Sequence, residues 1–230
     1  MNVRLVGYYE NMIQSICLAQ LNMIEADPWD RVMHMSDREK EKMIDEIFKS
    51  PLRGALEFAC FHFHIEGVSR ALTHQLVRHR TFSFSQQSLR FFNAKNSGFT
   101  MPDVLPKHRM MIEATLSDIK HSYESLIAEG CEIQNARSIL PTNIQTLISV
   151  NCNYRGLVDF CGVRFCQKAQ GEIQDLANAM KTELLHVEPF LANKLIAVCD
   201  HEKRCVYNSV YDHDCPKKGA FDGSHKETRK

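Results

Sequence analysis

The stretch Arg78-His79-Arg80-Thr81-Phe82-Ser83-Phe84-Ser85-Gln86-Gln87-Ser88-Leu89-Arg90-Phe91 gathers three arginines, an imidazole, several hydroxyls and two amides into one short run. Guanidinium groups match phosphate oxygens with paired N–H donors, and hydroxyls and amides complete hydrogen bonds to a heterocycle. Like charges this close repel over a Debye length of about 8 Å, a cost that a bound anion relieves. Immediately upstream, Val68, Ala71, Leu72, Gln75, Leu76 and His79 fall at helical spacing. That spacing predicts a helix whose last turn carries Gln75, Arg78 and His79, with the chain leaving through Arg80 into a loop. Further upstream, Phe61, Phe63 and Ile65 alternate with His62 and His64, which predicts a half-buried strand over Glu57–Ile65. Strand, helix and cationic loop follow one another within a few turns of chain. The competing reading of the loop is a solvated turn with ordinary ion pairs.

Working outward, Val3–Tyr9 reads as a strand and Met12, Ile13, Ile16 and Leu18 as a helix. Ser36-Asp37-Arg38-Glu39 has capping-box spacing ahead of Met43, Ile44 and Ile47, so a helix should run to about Pro51. Asn93–Pro106 is turn-rich, Arg109–Glu129 is a long helix closed by Gly130, and Leu140-Pro141-Thr142 breaks the next element. Periodicity leaves Ile144–Val150 open between strand and helix. Tyr154–Cys166 and Glu172–Val187 read as two further helices, the second stopping before Pro189. Long helices with few strands give an α+β class: a single domain over 1–215, with a small, mainly antiparallel sheet flanked by long helices. The polar stretch 216–230 reads as a C-terminal tail.

With 230 residues and 44% hydrophobic content, the chain can bury a full core. Lys+Arg and Asp+Glu are both 28, so any anion must be met by local clustering and not by a global field, which argues against a general nucleic-acid coat. No leader pattern and no membrane-length apolar run is visible, so a soluble, cytoplasmic protein without a membrane partner is expected. Its nine cysteines then read as reduced thiols, with metal binding as the main exception.

The order Arg-His-Arg, then Ser88, Arg90 and an aromatic resembles the signature of the flavin-dependent thymidylate synthases. The resemblance extends to Gln75, to Arg137 in Ala136-Arg137-Ser138-Ile139-Leu140-Pro141, to Asn153-Tyr154-Arg155 and to Val163-Arg164, covering about Glu57–Gln174 in the family's order. Two stretches depart from the family pattern. Pro51–Phe58 keeps only Glu57 of a Pro-x-Glu-His element, and Phe165-Cys166-Gln167-Lys168 follows Arg164 where the family often has an acidic residue or serine and then a histidine.

The resemblance implies methylation of dUMP to dTMP, with 5,10-methylenetetrahydrofolate as one-carbon donor, NADPH as reductant and FAD as cofactor, in a homotetramer whose active site is shared between subunits. It gives Gln75, Arg78, Gln86, Gln87, Ser88, Leu89, Arg90, Arg137 and Arg164 to substrate binding, and Arg164 also to catalysis. Arg78, His79, Arg80, Gln86, Asn153, Arg155 and Asp159 fall to the flavin. Asp159 also stands at i,i+4 from Arg155, so it could meet either the cofactor or that arginine. Ser88 is a binding group, because no histidine–carboxylate relay is legible to activate it.

Two other classes stay open on the residues alone. A nucleic-acid-binding protein would use Arg78–Arg90 on a phosphate backbone, with Phe82, Phe84, Phe91 and Phe92 either stacking bases or packing in the core. A structural zinc protein would draw on Cys199, Asp200, His201, Cys205, His213 and Cys215, although their spacing is irregular. No metal is assigned.

Overall fold

The computed structural model describes residues 1–206 together with Cys215 and Lys217. In chain order the elements are β1 (Asn2–Tyr8), α1 (Met12–Leu21), α2 (Pro28–His34), α3 (Asp37–Lys49), β2 (Cys60–Ser69), α4 (Arg70–Leu76), β3 (Ser83–Gln86), α5 (Pro106–Ala128), α6 (Ile133–Ala136), β4 (Gln145–Asn153), α7 (Tyr154–Arg164), α8 (Gly171–Val187), α9 (Pro189–Asn193) and α10 (Val198–Glu202). Short 3-10 turns at Gly54–Phe58, Ala94–Asn96 and Arg137–Ile139 fill the connections. A small four-stranded antiparallel sheet of order β1-β2-β4-β3 among many helices makes this an α+β fold, as the sequence pattern implied. No helix among the described residues is long and apolar enough to cross a membrane. The 216–230 stretch expected as a tail lies, apart from Lys217, outside the described residues.

The contacts divide the chain into two compact units, each assembled from separate stretches of sequence. The first, Met1–Val6 with His62–Asn151, holds most of the sheet and α4 to α6. Phe63 and Ile65 are fully buried while His62 is exposed, the alternation read from the sequence. Gly67 takes φ +68°, a left-handed conformation that glycine adopts without a Cβ penalty, just before the chain turns from strand to helix. Leu89, Ala94, Tyr123, Ala136 and Ile144 form a buried cluster, and the Tyr123 hydroxyl accepts the Ala94 N–H at 3.1 Å.

The second unit, Gly7–Phe61 with Cys152–Lys230, is helical. Asp27 caps α2 through Asp30 N–H at 3.1 Å, with Pro28 at the first helical position where its missing N–H costs nothing. The Ser36–Glu39 capping box forms in full: Glu39 N–H reaches Ser36 Oγ at 3.4 Å, and Ser36 N–H reaches Glu39 Oε2 at 2.8 Å. Tyr154 lies at the centre of this unit's core. Its ring meets Phe48 and Phe61 edge-on, each at 6.2 Å between centroids, and its hydroxyl donates to the Leu191 carbonyl at 2.8 Å.

Three boundaries differ from the sequence reading. The strand begins at Cys60 and runs to Ser69, and the 3-10 turn takes up Glu57. Val68 therefore belongs to the buried face of β2, and Ser69 caps α4 by accepting Leu72 N–H at 2.9 Å. At its other end α4 stops at Leu76, because Arg78 and His79 bond three residues back, to Gln75 O and Leu76 O, in tightening turns. Gln75 stays on the helix and Arg78 and His79 lie beyond it, so the three do not share a last helical turn. The cationic segment is likewise no simple loop, since Ser83–Gln86 forms β3 against β4, with Ser83 opposite Asn151 and Gln86 opposite Ile148. The open case, Ile144–Val150, is resolved as strand β4.

Candidate active site

In the first unit, Arg78 and Arg80 are exposed on the turns after α4, and the half-buried His79 ring sits 5.7 Å from Phe82. Pairing of β3 with β4 fixes the next groups. Gln86 donates from Nε2 to Thr73 Oγ1 at 3.0 Å, and Gln87 N–H donates to Leu147 O at 3.1 Å. Ser88 then opens a tight turn. Its hydroxyl accepts Arg90 N–H at 3.3 Å, and its carbonyl accepts Phe91 and Phe92 N–H at 3.1 and 3.0 Å. Among the described residues, no histidine–carboxylate pair bonds that hydroxyl.

Leu89 turns its side chain into the core cluster, which leaves only its backbone for a ligand. Arg90 is exposed, with its guanidinium carbon 5.5 Å from the Phe91 ring centroid. Phe82 is buried, whereas Phe91 is 79% exposed, so these aromatics divide between core and surface. Half-buried Arg137 follows α6 and is anchored by Nε donating to Gln134 O at 3.2 Å. Its Nη groups remain available. None of the ion pairs among the described residues involves Arg70, Arg78, Arg80, Arg90 or Arg137.

In the second unit, Asn153 caps α7, its Oδ1 accepting Gly156 N–H at 2.8 Å. Its Nδ2 donors are left to meet a ligand. Arg155 pairs with Glu57 at 2.7 Å, so the i,i+4 partnership with Asp159 considered from sequence is replaced by one reaching across 98 positions. Asp159 and Val163 line a cavity of about 310 Å³ with Phe48, Arg53, Ile196 and Val198. Partial burial pushes the Asp159 carboxyl above its ordinary range, opposed by Arg155 and Arg53. Arg53 is itself fixed by the carbonyls of Phe48 and Ser50, at 2.8 and 3.2 Å. Arg164 is the last residue of α7 and half-buried. In the two departing stretches, Leu52 and Phe58 are exposed apolar residues and Phe165 stacks under Lys181 at 5.7 Å.

The described residues of the late cysteine-rich stretch do not gather ligands. His201 pairs with Glu202 and Asp200 with Lys217, and no group of three His, Cys, Asp or Glu among the described residues could hold a metal; His213 lies outside them. Cys152 and Cys161 are buried, and burial pushes their thiols up, as suits small apolar core residues.

Sequence reasoning did not single out Arg70, whose Nη1 donates to Gln87 O at 3.3 Å beside the turn at Ser88. Glu57 was noticed only as a surviving family residue. Its partner could not be read from local pattern.

The family profile for the thymidylate synthase complementing protein, Thy1, matches residues 4–190. A flavin-dependent thymidylate synthase of Pyrococcus furiosus is 32% identical over 99% of this chain and 95% of its own length. That of Geobacter sulfurreducens is 39% identical over 64% of this chain and 65% of its own. The fold is shared with the flavin-dependent thymidylate synthase ThyX of Helicobacter pylori, solved with FAD and dUMP (TM-score 0.70, 21% identity, 85% of this chain and 100% of that one). It is also shared with the UMP/dUMP methylase PolB of Streptomyces cacaoi, bound with 5-Br dUMP (TM-score 0.71, 18% identity, 84% and 93%). A profile match over most of the chain, together with relatives above 30% identity along nearly its whole length, makes this protein an enzyme of the flavin-dependent thymidylate synthase family, a methyltransferase.

Proposed function

We propose that the protein methylates dUMP to dTMP, with FAD as cofactor, 5,10-methylenetetrahydrofolate as one-carbon donor and NADPH as reductant, as a cytoplasmic homotetramer. The observation that carries this reading is the ordered set Gln75, Arg78-His79-Arg80, Ser88, Arg90, Arg137, Asn153, Arg155 and Arg164, within a chain of this family. The domain is taken to span 1–215.

The donor set suits both ligands. Arg78, Arg80, Arg90 and Arg137 have no carboxylate pair among the described residues, so a phosphate would meet uncompensated charge. Arg155 is already neutralised by Glu57, and with the Nδ2 of Asn153 it suits a neutral polar edge of the flavin better than its phosphates. A methylene group carried from the folate is two electrons short of a methyl, and FAD, when bound, supplies that hydride chemistry, which no side chain can.

The chain's own residues bind, orient and polarise. Arg90 and Arg137 grip the phosphate, with Ser88 adding a hydroxyl hydrogen bond. Arg164 donates to the pyrimidine carbonyl or N3 edge and stabilises the charge that grows there as C5 becomes nucleophilic. Arg78, His79, Arg80 and Gln86 hold the flavin, and Asp159 is a further contact to it.

The test is product formation. Purified protein given FAD, dUMP, methylenetetrahydrofolate and NADPH without oxygen should yield dTMP by mass spectrometry, and omitting any one of them should stop it. No dTMP from the complete mixture would sink the reading. Light scattering at working concentration checks the tetramer, and a monomer would remove that part.

A further inference from the structure

Within the second unit, the first three helices enclose a groove that uses none of the residues ascribed above to nucleotide or flavin. Glu39, Lys42, Met43, Glu46 and Ile47 recur along α3 at the three- and four-residue spacing of one helix face and form one wall. Gln20 of α1, with Arg31 of α2 and its cap Met35, forms the other. The cavity between them is about 510 Å³, inside the ~300–1,000 Å³ range of small-molecule sites.

Its chemistry is uneven in two respects. The apolar floor has Met35 and Ile47 buried and Met43 half-buried, yet Gln20 places its Oε1 out of solvent with no hydrogen-bond donor. A buried acceptor left unmet costs ~1–3 kcal/mol. The terminal torsion of a glutamine is broad, so a small rotation turns that oxygen toward a donor in the cavity.

The rim is uneven in charge. Glu46 is taken by Lys49 at 2.8 Å, and Glu39 by the Ser36 N–H and hydroxyl, each at 2.8 Å. Ser36 chiefly, and Arg31 to a smaller degree, hold the Glu39 carboxyl below its ordinary range. Arg31 and Lys42 themselves enter no ion pair among the described residues. Both carboxylates are engaged and both cations are not, which favours an anion at the mouth.

We propose that this groove is a second small-molecule site, which takes an amphipathic organic anion: a flat apolar body over Met35, Met43 and Ile47, one N–H donated to Gln20, and a carboxylate met by Arg31 and Lys42. The assignment stands apart from the dUMP reading, since the two share no residue.

Indole-3-acetate is the probe, titrated by calorimetry into the full-length protein with FAD and dUMP present, beside indole, which lacks the carboxylate, and benzofuran-3-acetate, which lacks the N–H. Wild type should bind one equivalent of indole-3-acetate and prefer it to each analogue by about threefold or more, the scale of one hydrogen bond or one exposed charge contact. Gln20→Leu should erase only the preference over benzofuran-3-acetate. The Arg31→Gln, Lys42→Gln double variant should erase only the preference over indole. Both of those side chains are exposed, where substitution costs little, so the double variant decides the matter if Gln20→Leu does not fold. No binding of indole-3-acetate by wild type at millimolar concentration, equal binding of the three probes, or preferences that survive the substitutions would each overturn the assignment. Failure to form dTMP would instead count against the functional reading alone.

Discussion

Glu57 and Arg155 form an ion pair at 2.7 Å in which each side chain is 45% exposed, and that geometry fixes what breaking it should cost. Two unit charges at about 4 Å gain ~4 kcal/mol at an effective dielectric of 20 and ~1 kcal/mol in water. With nearly half of each side chain in solvent, the pair sits toward the wet limit, and measured couplings of exposed pairs run to about 0.2–1 kcal/mol. The expected coupling is therefore ~0.5–1 kcal/mol, toward the top of that range because the contact is short and charge-assisted. The experiment is a double-mutant cycle of Glu57→Gln, Arg155→Ala and the double variant, followed by urea and thermal denaturation. Each single variant should lower Tm by only about 2–4 °C, the scale of a loss near 1 kcal/mol in a chain of this size. The same cycle read by FAD affinity should show Glu57→Gln weakening FAD only while Arg155 is present. If both variants weaken FAD by amounts that simply multiply, Glu57 does not act through Arg155. A stability coupling above ~2 kcal/mol would refute the placement of this pair at the solvent margin, since only desolvated pairs reach that size.

Tyr154→Phe removes a fully buried hydroxyl and leaves the Leu191 carbonyl without its donor, so it should cost ~1–3 kcal/mol by chemical denaturation, and a neutral outcome would contradict the bond. Arg164→Ala should leave a folded, flavin-binding protein whose turnover falls by about two orders of magnitude or more, the effect of losing one charge-stabilising donor; near-normal turnover removes it from the chemistry. Arg90→Ala should raise the KM for dUMP by ~1.5 kcal/mol, the low end for a charge-assisted bond because the side chain is exposed, and an unchanged KM would refute its phosphate role. The Glu39 carboxyl is held below its ordinary value by the backbone and hydroxyl of Ser36. Its contribution is therefore present above the unfolded pKa and lost as pH falls through the folded one. The stability difference between wild type and Glu39→Gln should shrink to nothing in acid, and a difference that persists there would refute the capping box.

Much of the architecture was legible where local chemistry is decisive. Ser36 and Glu39 announce a capping box that forms with both bonds, and the Phe61–Ile65 alternation marks a strand with one buried face. Asp27-Pro28, with Asp30 in the first turn, carried an equally good start signal for α2 that periodicity alone passed over. Other features depended on partners distant in sequence. Ser83–Gln86 is four residues long and becomes a strand only because Ile148–Asn151 lies beside it. The helix before it ends at Leu76 because bonding shifts to three-residue turns, against an apolar spacing that continued to His79. At the site, the motif spacing placed the arginines in family order, but it could not show that Asn153 spends its oxygen on a helix cap, that Leu89 faces the core, or that Arg155 answers to Glu57. Those depend on which elements pack together, which a linear pattern does not encode.

The central claim is that this chain binds FAD and uses it on dUMP, and the visible absorption spectrum of the purified protein tests it most directly. Reconstitution with FAD should give a protein-bound flavin band that NADPH bleaches and that shifts on adding dUMP. A protein that takes up no FAD, or whose bound flavin ignores both NADPH and dUMP, would contradict the account.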